Sequence, residues 1–216
     1  MRRLPLQRFL VGHSLLGMLL MASTAWPQSQ ASIGRVSALE GQATVLRQGR
    51  FAPESLALQK PVFQEDIIET DVASKLRLTL TDAMVISLGE QSRLELKQFL
   101  YDARRQTRTG RLTILRGVFR AVVKQLLPES TFEVITSTAV AAIRGTDLMG
   151  EVTADSSAIV VLEGAVMIAN VRPGIRGSVT LTEGTGSTVT ADQPPSGPTR
   201  WSESRIEALR QATAVR

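Results

Sequence analysis

Hydrophobic and polar residues alternate along much of this chain, as they do in strands that bury one face. The alternation is strict from Lys75 to Leu80, and it continues in Met84 to Leu88 and in Arg93 to Leu96. A continuous apolar run, Ala158 to Leu162, lies between turn residues and is typical of a central strand. The pattern predicts an all-β fold whose half-buried strands are either antiparallel or arranged as in a solenoid.

Four glycines stand between predicted strands in a similar local sequence. They are Gly41, Gly117, Gly164 and Gly184, and a charged residue precedes each one. A glycine between two strands indicates a bend, because it adopts backbone conformations that are closed to other residues. The spacing of the four is irregular, which argues against a repeat of fixed period. The sequence therefore predicts one type of bend used four times.

A fifth bend is predicted in the segment from Thr136 to Val152. A run of mostly small residues, Ala139 to Ala142, leads there to Arg144, Gly145 and Thr146. Small side chains let a neighbouring backbone approach, and glycine takes a positive φ or a bulge without steric cost. We expect all three of the latter residues to be structural, with Arg144 buried against backbone carbonyls. The alternative is an exposed Arg144 that recognises a partner.

The N-terminal residues 1–31 are typical of a secretory signal peptide. Three arginines precede a mostly apolar run, Phe9 to Met21, and small residues suited to signal peptidase follow. Cleavage would leave Trp26 or Ser32 as the first residue. The run is short and interrupted for a membrane-spanning helix, which needs about 20 apolar residues, although an uncleaved anchor is the alternative. We therefore expect a protein that is exported to the periplasm or the extracellular space.

The composition changes after the β region, which we place at residues 32–191. Residues 192–200 are rich in proline and predict an extended linker. Residues 201–216 predict a C-terminal helix, because Ile206, Leu209 and Ala212 recur at helical spacing. The helix is short and weakly apolar, so we expect it either to dock on the β region, with Trp201 as its anchor, or to remain frayed.

The residues that carry most enzyme chemistry are scarce. The chain has no cysteine, and its one histidine, His13, lies in the predicted signal peptide. This argues against thiol nucleophiles, histidine-based triads and zinc sites in the mature chain. A carboxylate cluster from Glu65 to Asp71 lacks the spacing of a calcium loop and predicts a solvated edge. We therefore expect no enzyme activity, no cofactor and no metal.

Positive charge is concentrated in one segment. The formal net charge is +5, and from Lys97 to Lys124 eight basic residues face Asp102 alone. Within this segment a polar turn carries Arg104, Arg105, Arg108 and Arg111. One interpretation is a solvated hairpin loop that protects a sheet edge. The other is a binding site for an anionic partner, such as an acidic protein face, a phosphorylated glycolipid or an acidic polysaccharide. Nucleic acid is disfavoured, because aromatic residues for base stacking make up only 4% of the chain.

Five segments follow the order and residue types of one known family. They are Asp66 to Thr70, Leu76 to Gly89, Leu115 to Arg120, Phe132 to Leu148 and Val160 to Val166. Together they resemble the FecR domain, the periplasmic domain of sigma-factor regulators of the ferric citrate type. The resemblance covers roughly residues 33–190. Its most specific part is the pair F-E-V-I-T and I-R-G-T-D-L around the predicted fifth bend.

The resemblance has departures that bear on structure and function. Glu65 and Ala83 stand where the family prefers glycine, so the two turns are expected to differ in type. The regulators that name the family also carry a cytoplasmic anti-sigma segment and a transmembrane helix, and we expect neither here. The resemblance therefore implies the fold, an irregular, β-solenoid-like stack of short strands, more strongly than it implies control of a sigma factor.

Two functions remain as hypotheses. The first is an exported, non-catalytic binding module that recognises a protein or an envelope polymer. The second, implied by the family, is a periplasmic component that senses a signal and is linked to an extracytoplasmic sigma factor.

Overall fold

A computed structural model describes residues 30–123 and 130–216. The predicted signal peptide lies outside the described residues except for its last two, and so does Lys124 of the basic segment. Within the described ranges no helix is long and apolar enough to span a membrane.

Seventeen strands and one helix make up the described residues. In chain order they are β1 (Gly34–Glu40), β2 (Ala43–Leu46), β3 (Glu54–Ser55), β4 (Pro61–Val62), β5 (Ile67–Thr70), β6 (Lys75–Leu80), β7 (Val85–Leu88), β8 (Arg93–Asp102), β9 (Thr107–Val122), β10 (Thr131–Thr136), β11 (Ala139–Ile143), β12 (Asp147–Val152), β13 (Ser156–Glu163), β14 (Ala165–Asn170), β15 (Ser178–Thr182), β16 (Thr185–Thr190), β17 (Thr199–Arg200) and α1 (Glu203–Thr213).

The strands form two sheets that share the long strand β9. Sheet 1 has the order β4–β1–β6–β7–β9–β12–β13–β16–β17, and sheet 2 has the order β3–β2–β5–β8–β9–β10–β11–β14–β15. The first part of β9 belongs to sheet 2 and its part after Gly117 to sheet 1. The all-β prediction is confirmed. The stacked strands are antiparallel in every described pair except β9 with β10, so the stack is not coiled like a parallel solenoid.

Glycines mark the points at which the chain crosses from one sheet to the other. The four predicted bend glycines all have positive φ, with values of 74° at Gly41, 96° at Gly117, 87° at Gly164 and 74° at Gly184. Gly145, between β11 of sheet 2 and β12 of sheet 1, has a φ of 59°. An L-residue pays a steric penalty in this region, and glycine does not. The recurring bend is thus the device that folds one chain into two layers.

Two turns keep the same backbone conformation without glycine. Glu65 has a φ of 67° and Ala83 a φ of 64°, at the two positions where the FecR pattern has glycine. The expected change of turn type is therefore not needed to explain these departures, because both residues adopt the left-handed conformation themselves. Such a residue is strained relative to glycine.

We expect Ala83→Gly to stabilise the protein by about 0.5–1 kcal/mol. Glycine removes the steric strain of the left-handed backbone conformation at this position. The higher conformational entropy of glycine in the unfolded chain offsets only part of this gain. Urea unfolding of both proteins measures the difference. The matched control is Ala103→Gly, at an exposed turn position that is not among the residues with positive φ. It should destabilise slightly, and equal effects at the two positions would contradict the strain argument.

One hydrophobic core fills the space between the sheets. Sheet 1 contributes Val36, Leu78 and Ile86, and sheet 2 contributes Ile68, Leu94 and Ile114, all of them 0–1% exposed.

A chain of buried hydroxyls lies at one end of the layer. Ser157 Oγ donates to Thr136 Oγ1 at 2.7 Å, and Thr138 Oγ1 lies 2.8 Å from Ser157 Oγ.

The helix α1 covers the outer face of sheet 1. Trp201, Ile206 and Leu209 pack in a second buried cluster with Met149 and Val160. A Cβ on the strand residue Gly186 would lie 2.4 Å from the Trp201 indole, so glycine is required for this approach. The predicted helix and its tryptophan anchor are therefore present.

The proline-rich segment before the helix is extended, as expected, but it is not free. The Thr188 amide donates to Ser196 Oγ at 3.0 Å, and the Ser196 amide donates to the Thr188 carbonyl at 2.9 Å. The segment is thus tied to β16, and it carries the chain back to the outer face of sheet 1.

Candidate functional site

The outer face of sheet 2 lies on the side of the molecule opposite the helix. We call the outward-facing side chains of β9, β10, β11 and β14, together with Arg144, the open face. Its centre is apolar and consists of Ile135, Val140, Ala142, Ala165, Met167 and Ala169. The centre is solvent-accessible, and Met167 has 53% of its surface exposed.

The register of the strands builds this centre from distant parts of the chain. Ile135 lies opposite Val140 across β10 and β11, and Ala142 lies opposite Met167 across β11 and β14. Val140 also lies opposite Ala169. The face of sheet 1 with a comparable apolar centre is covered by α1, whereas Ala142 and Met167 remain exposed. An exposed apolar surface with a polar border is typical of protein-interaction sites.

Charged residues border the centre on the β8 side. Arg111 lies opposite Glu133 and donates to it, with Nε at 3.0 Å from Oε2. Lys97 forms an ion pair with Glu95, and this hydrogen bond raises the pKa of Lys97. An open groove of about 510 Å³ runs between them, lined in part by Gln64, Lys97, Arg111 and Ile135.

Arg144 occupies the other border, and the expectation that it is buried is wrong. The residue is exposed, two positions beyond Ala142 on the same side of the chain, and it has no ion pair with any described residue. The bend at Gly145 turns its neighbour Thr146 inward instead. Thr146 is buried, and its hydroxyl donates to the Arg144 and Ala165 carbonyls at 3.1 and 3.3 Å.

The four arginines of the predicted basic turn do not form one patch. Arg104 and Arg105 lie at the exposed tip of the β8–β9 hairpin, and Arg111 lies on the open face. The tip is ordered by Asp102, whose carboxylate accepts from the backbone amides of Arg105 and Arg104 at 3.0 and 2.9 Å. These hydrogen bonds lower the pKa of Asp102.

Arg108 is in the interior, so its placement in an exposed turn is wrong. Its side chain is 2% exposed and forms an ion pair with Asp82, which is fully buried. The guanidinium also lies 5.6 Å from the centroid of the Phe132 ring. The strand period could have revealed this, because Arg108 has the same parity as the buried Leu112 and Ile114.

The carboxylate cluster is also less solvated than expected. Asp66 is 1% exposed, and burial raises its pKa despite a hydrogen bond from the Phe63 amide. Glu69 forms ion pairs with Arg93 and Arg116 at the margin of a second open groove of about 710 Å³. Within the described ranges, no three His, Cys, Asp or Glu residues are grouped as metal ligands.

Comparison with known proteins identifies part of this chain. Residues 66–167, which carry β5 to β13 and the first residues of β14, match the family model described as FecR protein. The match contains all five segments on which the resemblance was recognised. No curated protein matches the chain in sequence.

The fold also occurs in solved structures. Two crystal structures of a candidate anti-sigma factor from Parabacteroides distasonis, at 1.65 and 2.50 Å resolution, are similar to this chain with TM-scores of 0.52 and 0.53. Identity is 15% in both, and the match covers 67% of this chain and 64% of the other. At this identity the likeness shows the fold, and the match spans about two thirds of the Parabacteroides chain.

Proposed function

We propose that this chain is a non-catalytic, FecR-type interaction module that binds a protein partner in a sigma-factor regulatory pathway. The observation that carries the proposal is the open face, an accessible apolar surface on one sheet of a FecR domain whose other sheet is covered by the chain's own helix. The family match and the anti-sigma description of its structural neighbours support regulation rather than an unrelated binding role. The signal-peptide pattern supports export, and we place the interaction in the periplasm.

The charges on the open face indicate the character of the partner surface. Arg144 lacks an ion pair with any described residue, and Arg104 lies at the exposed tip of the β8–β9 hairpin, where Arg105 is paired with Asp102. Arg111 and Lys97 are already balanced by Glu133 and Glu95. The unbalanced charge is therefore positive, so the proposed partner surface is apolar at its centre and acidic at its border.

The proposal predicts that Met167→Glu reduces capture of the partner at least tenfold, because a charge is placed in the apolar centre of the contact. The full chain is immobilised and exposed to envelope extract of the source cells, and the amount of partner protein that it retains is measured. Leu58→Glu is the matched control, since Leu58 is similarly exposed at 59% and lies in the loop between β3 and β4. Equal loss in both variants would contradict the assignment of the face.

The regulatory part is tested separately in cells. Deleting the gene should change the expression of an extracytoplasmic sigma regulon, and the native gene should restore it while the Met167→Glu gene should not. An unchanged regulon would contradict the link to a sigma factor.

In the capture experiment, recovery of a glycan in place of a protein would contradict the protein partner proposed here. It would favour the other hypothesis from sequence, that the module binds an envelope polymer.

A further inference from the structure

The sheet edges of this molecule are unequal. Among the residues that the structure describes, three of the four terminal strands, β3, β4 and β17, are two residues long and carry a charged residue or a proline. The fourth, β15, has five residues, Ser-Val-Thr-Leu-Thr, with neither charge nor proline. Natural proteins blunt exposed edges with short strands, charges and prolines, because an unblunted edge pairs with another strand. β15 lacks all three protections.

The hydrogen bonds show which backbone groups of β15 point outward. The Thr182 amide donates to Thr185 Oγ1 at 2.8 Å rather than to β14. On β14 the odd-numbered residues point toward β11, as the bond from the Val171 amide to the Thr138 carbonyl shows. Backbone direction alternates along a strand. The amides and carbonyls of Ser178 and Thr180 therefore point away from β14, to the free edge of sheet 2.

The geometry points to a second copy of this chain as the occupant of this edge, paired antiparallel with β15 about Val179. In that register Ser178 lies opposite Thr180 of the other copy, and the reverse pair is equivalent. The four outward groups of each copy then meet in four N–H···O bonds. Thr182, whose backbone already bonds to the Thr185 hydroxyl, is not needed.

The residues that flank the edge are complementary to their own copy. Arg176 precedes β15 and Glu183 follows it, both are exposed, and neither has an ion pair with a described residue. In the antiparallel register Arg176 of each copy lies opposite Thr182 and beside Glu183 of the other. Two oppositely charged pairs therefore close the contact at its two ends, and no like charges meet.

The arrangement has a consequence for binding. Antiparallel pairing in one sheet is related by a two-fold axis perpendicular to that sheet, so both open faces point to the same side. A dimer would present two partner sites side by side. The inference does not depend on the proposed function, since the dimer forms or fails to form whatever the open face binds.

The test is sedimentation velocity of the purified full chain over a concentration series. We expect a reversible monomer–dimer equilibrium with weak affinity, because the contact is small. Thr180→Pro should be monomeric at every concentration, since it removes an edge amide that the fold itself does not use. Thr180→Val keeps the amide and should dimerise like the native chain. A monomeric native chain, or a Thr180→Pro dimer, would overturn the inference.

A charge exchange keeps the test independent of any folding defect in the proline variant. Arg176→Glu should weaken the dimer about tenfold, because two repulsive pairs replace two attractive ones. Adding Glu183→Arg to that variant should restore the native dissociation constant. Equal dimerisation of Arg176→Glu and the native chain, or no recovery in the double variant, would exclude this register.

Discussion

Replacing Gly117 with alanine is expected to destabilise the fold by about 2–6 kcal/mol, the largest effect of any single small change that we predict. Gly117 lies where β9 passes from sheet 2 to sheet 1, with a φ of 96°. A Cβ there would lie 2.1 Å from Ser92 Oγ and 2.5 Å from Ser92 Cα. The backbone atom cannot move aside, so crowding adds to the conformational strain. Urea unfolding of the purified variant measures the loss.

Gly49→Ala is the matched control for this prediction. Gly49 also has a positive φ, 75°, but no atom lies within 4 Å of the position that a Cβ would take. It should show the conformational cost alone, about 1–2 kcal/mol. If the two alanine variants unfold alike, crowding against Ser92 does not add to the cost of a side chain at position 117, and the argument from close approach is contradicted.

The second large effect is expected at Arg108. Arg108→Met should cost about 3–5 kcal/mol, because it leaves the fully buried Asp82 carboxylate without its cation. Asp82→Asn should cost a similar amount, because it removes the carboxylate that balances the buried Arg108 guanidinium. The double variant should be much less damaging than the sum of the two, and thermal unfolding of all three proteins measures this coupling.

Arg104→Met is the control within the same predicted turn. Arg104 is exposed at the hairpin tip, and its stability effect should lie within about 0.5 kcal/mol of zero. A similar loss for Arg104→Met and Arg108→Met would contradict the interior position of Arg108. Such a result would favour the interpretation made from sequence, in which Arg108 lies in the same solvated loop as Arg104.

The bends of this fold were predictable from sequence, and the side chains that they orient were less so. Glycine is the residue that tolerates a positive φ, so Gly41, Gly117, Gly164 and Gly184 could be recognised one at a time from their neighbours. Arg144 continues the alternation of β11, in which Ala142 is exposed and Ile143 is buried, so its exposure could have been inferred from the strand period. The direction of Thr146 could not, because it depends on how far the bend at Gly145 rotates the chain.

The open face could not be found from sequence for a different reason. Ile135, Val140 and Met167 become neighbours only through the register of β10, β11 and β14. The alternation of residues shows which side chains share a face of each strand. It does not show which strands pair, or which sheet is covered by the helix. Arg108 is the opposite case, since its parity in β9 was available once the strand was known to begin at Thr107.

Site-specific photo-crosslinking in the source cells tests the central claim, that the open face binds a protein partner. A photoreactive residue in place of Ala142, at the centre of the open face, should form a covalent adduct with another protein. The same residue in place of Glu207, on the exposed side of α1, should not. Mass spectrometry of the adduct should identify a receptor or regulator of an extracytoplasmic sigma pathway. Adducts only at position 207, or equal adducts at both positions, would contradict the account.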